Sequence, residues 1–363
     1  MKYYTVLIIT IIILCIIALV IKKCLKKSNT ETDISTIMIT TGISLIVAAF
    51  PGTKEAVMSF VAEMVGKEVT YKTDPVMIIC GIVLIIFGFL YKKNIRDRIY
   101  ILNMLGIPVQ KEITDDSNVK ELKLADFKVR EVLIDFVDVF DVNMTQKANG
   151  IIVKKIQKVC TAFVNRSNGF KSCFTGMAPI PYTILAGTYL ASGKVRRYFE
   201  YRRADSKYYE LSRSKKKNYQ NLIANYPDQI NAGATEVVVA LSVTRKVQAA
   251  DMSQFGTMDI VEIELPNPDD NVIKTIAQLD EYAGVVLNQI EGLKQIYPSI
   301  CKVDLVASIP SCLSIELGKK FALNTHRLPQ IISYHFVSSE TPKYPFGVIV
   351  SDGVLGTGKL IKG

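Results

Sequence analysis

Apolar positions fall into two regimes along this chain. Up to residue 92 they form long unbroken runs, at about 4–21, 34–50 and 76–91. The first, Thr5–Ile21, is apolar apart from two Thr and a Cys, close to the roughly 20 residues that cross a bilayer as a helix. A signal peptide is the alternative, but Lys22, Lys23, Lys26 and Lys27 follow the run instead of preceding it, and no small-x-small cleavage site stands after it. The second run ends at Pro51-Gly52, and the third is entered by Asp74-Pro75 and followed by Lys92, Lys93, Arg96 and Arg98. The basic clusters after the first and third runs predict one orientation: N-terminus and residues 51–75 outside, the large C-terminal part inside. Between the runs, Ala56, Val57, Phe60, Val61 and Met64 predict a helix over 54–67 lying on the membrane surface. Thr36, Thr40, Ser44 and Val47 share a face of the second run, which predicts either helix packing or a water-lined path; Gly81 and Gly88 suggest a close-packing face on the third. No charge lies inside any run, which argues against an ion-coupled transporter.

Beyond residue 92 the apolar runs shorten and alternate with helical periodicity. Asn94–Gly106 reads as a helix continuing the third run, and 108–120 as a polar linker. Glu131–Phe140 is ambiguous between strand and helix. Gly150–Asn165 is a predicted helix with Ile152, Ile156, Val159, Cys160 and Phe163 on one face. Strands follow at 171–175 and 195–203, with a helix after Pro181 between them. The order returns: strand Glu236–Ser242, whose continuous β-branched run suits a buried parallel strand, strand 259–265, helix 272–296, strand 302–306, a helix after Pro310 and strand 330–337. Ala178-x-Ile180-Pro181 recurs as Ala307-x-Ile309-Pro310, and Gly187 recurs as Gly318. The sequence therefore predicts a transmembrane module (1–92), a linker (93–120) and two α/β units (121–228 and 229–363), two Rossmann-like copies facing each other around a shared ligand site.

Composition adjusts this picture little. The hydrophobic fraction of 49% is high, and its excess lies before residue 92. The net charge of +10 suggests anionic partners, although loops flanking membrane helices contribute to it. The seven cysteines are scattered without a C-x-x-C, which fits a reducing compartment.

In parallel α/β sheets ligands rest beyond the C-terminal strand ends, where helix N-termini point. Three such segments are Thr175-Gly176-Met177-Ala178, Ser242-Val243-Thr244-Arg245-Lys246 and Ala307-Ser308-Ile309-Pro310. Free N–H groups and the helix dipole suit phosphate there, with hydroxyls and Arg completing an anion site; plain helix capping is the alternative for each hydroxyl. The candidate ligand residues are Thr175, Met177, Pro179, Ser242, Thr244, Arg245, Ala307, Ser308 and Pro310, with Arg197 from the basic strand and Tyr182 and Tyr209 as base-stacking side chains. The basic strand could equally be a solvated face, and the tyrosines could be core. No catalytic constellation stands out: His326 and His335 lack metal-ligand spacing. Gly353-x-x-x-x-Gly358-Lys359 has Leu360 where a P-loop needs Ser or Thr, and reads as a glycine-rich tail.

The half-repeat FTGMAPIPYTILAGTYL…VRRYFEYRR, the EVVVALSVT strand and DLVASIPSCLSIELGKKFAL…PQIISYHF resemble a SAVED domain over roughly 120–350. That resemblance implies two fused CARF-like units that bind a cyclic oligonucleotide, a cyclic di-, tri- or tetranucleotide, downstream of a cyclic-nucleotide synthase in bacterial anti-phage signalling. Family members often carry Trp after the first charged strand; this chain has none, and Tyr208 or Tyr209 stands there. The implied protein is a membrane effector of the bacterial inner membrane, not an enzyme, without cofactor, metal or nucleic-acid polymer. Its partners are the messenger, the lipid bilayer and further copies of itself. A membrane-tethered enzyme and a membrane scaffold are the competing readings.

Overall fold

The computed structural model describes residues 32–49, 75–96, 98–106, 113–137, 144–168, 170–193, 195–202, 204–352 and 357–363. The apolar run at 4–21 and the helix expected over 54–67 lie outside the described residues. The chain divides into two bodies, one of residues 1–98 and 168–170, the other of residues 99–167 and 171–363.

In the first body α1 (Thr32–Ala48) and α2 (Pro75–Arg96) form an antiparallel pair. Over Pro75–Lys93, α2 is long and apolar enough to cross a membrane; the apolar part of α1, Ile34–Ala48, is shorter. Their axes approach at glycines. A Cβ on Gly42 would stand 2.5 Å from the Gly81 carbonyl oxygen, and one on Gly88 would stand 2.6 Å from Ile39. Gly81 and Gly88 thus lie at the contact, whereas the hydroxyl face of α1 does not make it. Ser35, Ile39, Gly42 and Ile43 are buried there instead. The Thr40 and Ser44 hydroxyls donate back to carbonyls of their own helix, those of Thr36 and Thr40, at 2.9 Å each, the local pattern Ser and Thr adopt when no other acceptor is near. Val76, Ile79, Ile86, Phe87 and Leu90 point outward from α2.

The second body holds two mixed sheets. The five-stranded sheet runs β2-β1-β3-β4-β5, from β1 (Arg98–Leu105), β2 (Lys128–Asp135), β3 (Lys171–Gly176), β4 (Arg197–Arg202) and β5 (Lys207–Glu210). β1, β3 and β4 are parallel, and β5 returns antiparallel. The seven-stranded sheet runs β12-β11-β10-β9-β7-β8-β6, from β6 (Ile223–Asn225), β7 (Glu236–Ser242), β8 (Ile260–Glu264), β9 (Lys302–Ser308), β10 (Gln330–His335), β11 (Phe346–Ser351) and β12 (Leu360–Lys362). Its parallel centre is β8-β7-β9-β10. Helices α3 (Asp116–Glu121), α4 (Gln146–Ser167), α5 (Ile180–Tyr189), α6 (Ile276–Ile296) and α7 (Ser311–Leu323) complete the order.

The repeat seen in the sequence becomes β3-α5-β4 and β9-α7-β10. Its two glycines mark where the copies meet: a Cβ on Gly187 would be 2.2 Å from the Ile315 carbonyl oxygen, and one on Gly318 1.9 Å from that of Ile184. Only residues without a side chain let these two helix backbones approach so closely. Ile184, Leu185, Ile315 and Leu317 are fully buried around that crossing, each contributing on the order of 1.5–3 kcal/mol of apolar burial. The Tyr198 hydroxyl donates to Glu316 Oε2 at 2.6 Å, binding β4 to α7.

Three expectations need correction. Residues 98–105 are not a helical extension of the third apolar run but β1, between β2 and β3, with Ile99, Ile101, Leu102 and Met104 fully buried. A strand covered on both faces carries a continuous apolar run without alternation, which after a helical span reads as more helix. The first sheet therefore begins inside the expected linker. Helix α6 starts at Ile276, not 272, because Thr275 caps it: its hydroxyl accepts from the Gln278 N–H at 3.0 Å, and Gln278 Oε1 accepts from the Lys274 N–H at 2.9 Å. The glycine-rich tail ends in a strand, β12, after Gly358, whose φ of 88° suits glycine.

Candidate functional site

Beyond the C-terminal ends of β3, β7 and β9 lies a cavity of about 770 Å³. It forms where the repeat brings the starts of α5 and α7 side by side. Met177, Ala178 and Pro179 lead from β3 into α5, and Ser308, Ile309 and Pro310 lead from β9 into α7. Gly106, after β1, sits so close to this turn that a Cβ would stand 2.2 Å from the Met177 carbonyl oxygen. The β7 loop is pinned alongside. Val243 and Thr244 N–H groups both donate to the Ser308 carbonyl at 2.9 Å, and the Thr244 and Ser308 hydroxyls bond to each other at 2.9 Å.

The twelve predicted ligand residues divide by place. Met177, Pro179, Thr244, Arg245, Ala307, Ser308 and Pro310 line the cavity. Thr175, Tyr182, Arg197, Tyr209 and Ser242 do not. Thr175 is fully buried inside the sheet. Tyr182 is core: its hydroxyl donates to Asn149 Oδ1 at 2.9 Å, its ring stacks on Phe136, and burial raises its pKa. Arg197 is held by Glu210 through two bonds of 2.6 Å, so its charge is spent within the sheet. Tyr209 donates to the Ile273 carbonyl at 3.1 Å. Ser242 accepts the Val247 N–H at 3.0 Å and shapes the loop. Strand ends were legible; whether a strand residue faces the ligand or the core depends on pleat and on the covering helix.

The remaining walls come from residues the sequence reading passed over. Tyr201, Tyr334, Phe336 and Tyr344 supply aromatic surface. His335 also lines the cavity, its pKa lowered to about 4 because burial disfavours the imidazolium. Glu200, Asp251 and Asp270 are acidic members. Glu200 carried a signal, as the one acid inside the basic strand RYFEYR, and the structure buries it at 6% exposure. Its Oε1 accepts the Cys312 N–H at 2.5 Å, and Ser311 N–H also bonds to the carboxylate. Burial pushes Glu200 up to about 7, against the pull of those amides. At the rim Lys246 lies 3.1 Å from Glu264, and Arg245, largely exposed, lies 3.6 Å from Asp270. The arrangement offers helix-start amides, hydroxyls and an exposed arginine to an anion, and aromatic faces to flat rings.

The profile of one family, the SMODS-associated and fused to various effectors sensor domain (SAVED), matches residues 156–350. A search of the curated proteins found no match. Among solved structures, the Acinetobacter baumannii Cap4 SAVED/CARF-domain containing receptor with the cyclic trinucleotide 2'3'3'-cAAA is 15% identical with a TM-score of 0.47 over 76% of this chain and 55% of that one. The same receptor with 3'3'3'-cAAA is 14% identical with a TM-score of 0.47, over 76% and 56%. The Moraxella osloensis Cap4 receptor is 15% identical with a TM-score of 0.42, over 72% and 52%. The chain spans about half the length of these structures.

Proposed function

The chain belongs to the SAVED sensor-domain family, and from that premise we propose that its cavity binds a cyclic oligonucleotide and that binding switches a membrane effector. The observation that carries the reading is the convergence of three strand ends and two helix starts on one aromatic-walled cavity of about 770 Å³. Phosphates of a cyclic oligonucleotide meet amides and hydroxyls there, and bases meet Tyr201, Tyr334, Phe336 and Tyr344. The effector end is the apolar N-terminal part, in which α2 has the length and composition of a span. Lys92 and Lys93, at its C-terminal end, orient the sensor toward the cytoplasm of a bacterial cell membrane. The chain acts without catalysis: ligand draws copies together by its differential affinity for the associated form, their apolar helices cluster, and the bilayer leaks, in anti-phage defence.

The test uses the full chain in detergent micelles and in liposomes. Cyclic di-, tri- and tetranucleotides are screened for thermal stabilisation, which at a hundredfold excess over Kd adds about 2.7 kcal/mol. At least one should stabilise the protein, raise its mass in solution and release dye from liposomes. Absence of any stabilisation refutes the sensor reading; stabilisation without a mass change or leakage turns the assignment to a tethered enzyme.

A further inference from the structure

The two repeat copies treat their helix starts differently. A proline, Pro179 or Pro310, precedes each helix and caps neither, but at α5 Pro181 has no N–H, so its first turn offers fewer donors. At α7 the Ser311 and Cys312 amides stand side by side, the better anion cradle of the pair, and Glu200 holds both. Glu200 comes from β4 in the first sheet, and α7 follows β9 in the second, so the contact joins the two copies. Its counterpart is neutral. Phe199 pairs with Thr175 and Ile332 with Asp304, which aligns Glu200 with Ser333, a buried serine that brings no charge to α5.

We propose that Glu200 is a competitor built into the cavity: its carboxylate holds the α7 amides that an anionic ligand needs, so the ligand binds by displacing it, and Glu200 sets the affinity of the site. The proposal rests on the reading of this cavity as a site for a phosphate-bearing ligand. Its physical basis is that two anions cannot share one pair of amides without strong like-charge repulsion. Among the described residues no Lys or Arg forms an ion pair with Glu200. The titratable groups packed nearest are the Tyr209 phenol, opposite Glu200 across β4 and β5, and the Cys312 thiol. Burial raises both above the neutral range, so they stay uncharged near pH 7. Arg245, Lys246, Asp251, Asp270 and His335 line the same cavity, and burial keeps His335 neutral at pH 7. With Glu200 itself pushed up to about 7, protonation removes the competing charge within the accessible pH range. The sign is definite: lowering pH protonates Glu200 and strengthens anion binding.

The test uses the full chain in detergent with two probes, millimolar inorganic sulfate, which stays dianionic across the range, and 3'3'3'-cyclic triadenylate. Sulfate should stabilise E200Q at concentrations roughly tenfold below those needed by wild type at pH 8. Wild type should approach the E200Q response as pH falls from 8 to 6, a change of about tenfold per unit at most. General salt stabilisation would act equally on both proteins. An E200Q response no better than wild type, or a wild-type response flat between pH 6 and 8, overturns the proposal. The wild-type pH series decides alone if E200Q fails to fold. If sulfate discriminates as stated and cyclic triadenylate and its relatives bind neither protein, the competitor stands and the messenger reading falls.

Discussion

Replacing Gly318 by Ala tests whether the two repeat copies meet where the structure has them. The added Cβ would lie 1.9 Å from the Ile184 carbonyl oxygen and 2.9 Å from Gly187 Cα. Both are backbone, so no side chain can swing aside. Reaching an ordinary carbon–oxygen contact requires the helices to separate by more than 1 Å, opening the packing of Ile184, Leu185, Ile315 and Leu317. Overpacking of this kind costs about 1–3 kcal/mol, and here it acts on main chain, the upper end. Ala in a helix interior returns about 1 kcal/mol of propensity. The net loss is about 2 kcal/mol, which lowers Tm by roughly 4–8 °C in a body of this size. Gly284→Ala in α6 is the control, since its Cβ meets nothing within 4 Å. It should raise Tm by roughly 2 °C from propensity alone. Thermal unfolding of the two variants beside wild type, by circular dichroism in detergent, reads the difference. The helices that separate start directly after Pro179 and Pro310 at the cavity wall, so Gly318→Ala should weaken ligand binding while Gly284→Ala leaves it unchanged. A Gly318→Ala protein as stable as wild type would refute the α5–α7 crossing.

Ser308→Glu or Thr244→Glu places a carboxylate at the hydroxyl pair beside the α7 start, so each should abolish cyclic-oligonucleotide stabilisation while circular dichroism stays native; retained binding in both would move the site elsewhere. Acid stability should divide between two buried groups. His335 has a folded pKa of about 4 against 6.5, so the unfolded chain takes up the proton first and stability is lost as pH falls from about 6.5 to 4, by about 3 kcal/mol when complete. Glu200 is raised from 4.5 to about 7, so the folded chain takes up the proton first and stability rises as pH falls from about 7 to 4.5, with opposite sign. E200Q should therefore unfold more readily than wild type as pH drops from 7 to 5, and His335→Asn less readily; parallel pH profiles for all three would contradict the assignment. A periplasm-active reporter fused after Gly363 should be silent and one placed between residues 54 and 70 active; an active C-terminal fusion reverses the proposed orientation.

The parallel strands β3, β4, β7, β8, β9 and β10 and the long helices between them were legible in the sequence, because they bury enough apolar surface to mark their runs, whereas β2 stayed ambiguous and the antiparallel strands β5, β6, β11 and β12 left no such mark. Glu236–Ser242 begins and ends as its β-branched run predicts, and the paired Ala-x-Ile-Pro turns each open a helix. The repeated glycines Gly187 and Gly318 were visible as a recurrence, but only the structure shows that they mark a close approach of two helix backbones. Tertiary structure alone decided what local pattern leaves degenerate. Whether RIYILNML extends a helix or enters a sheet depends on β2 and β3 standing on either side of it. Which strand-end residues face the cavity depends on pleat and cover, and so Tyr182 and Arg197 went to the core and the sheet while Tyr334 and His335 came to the wall. The Glu200 contact spans 112 residues; only the meeting of the two copies brings that carboxylate to the first turn of α7.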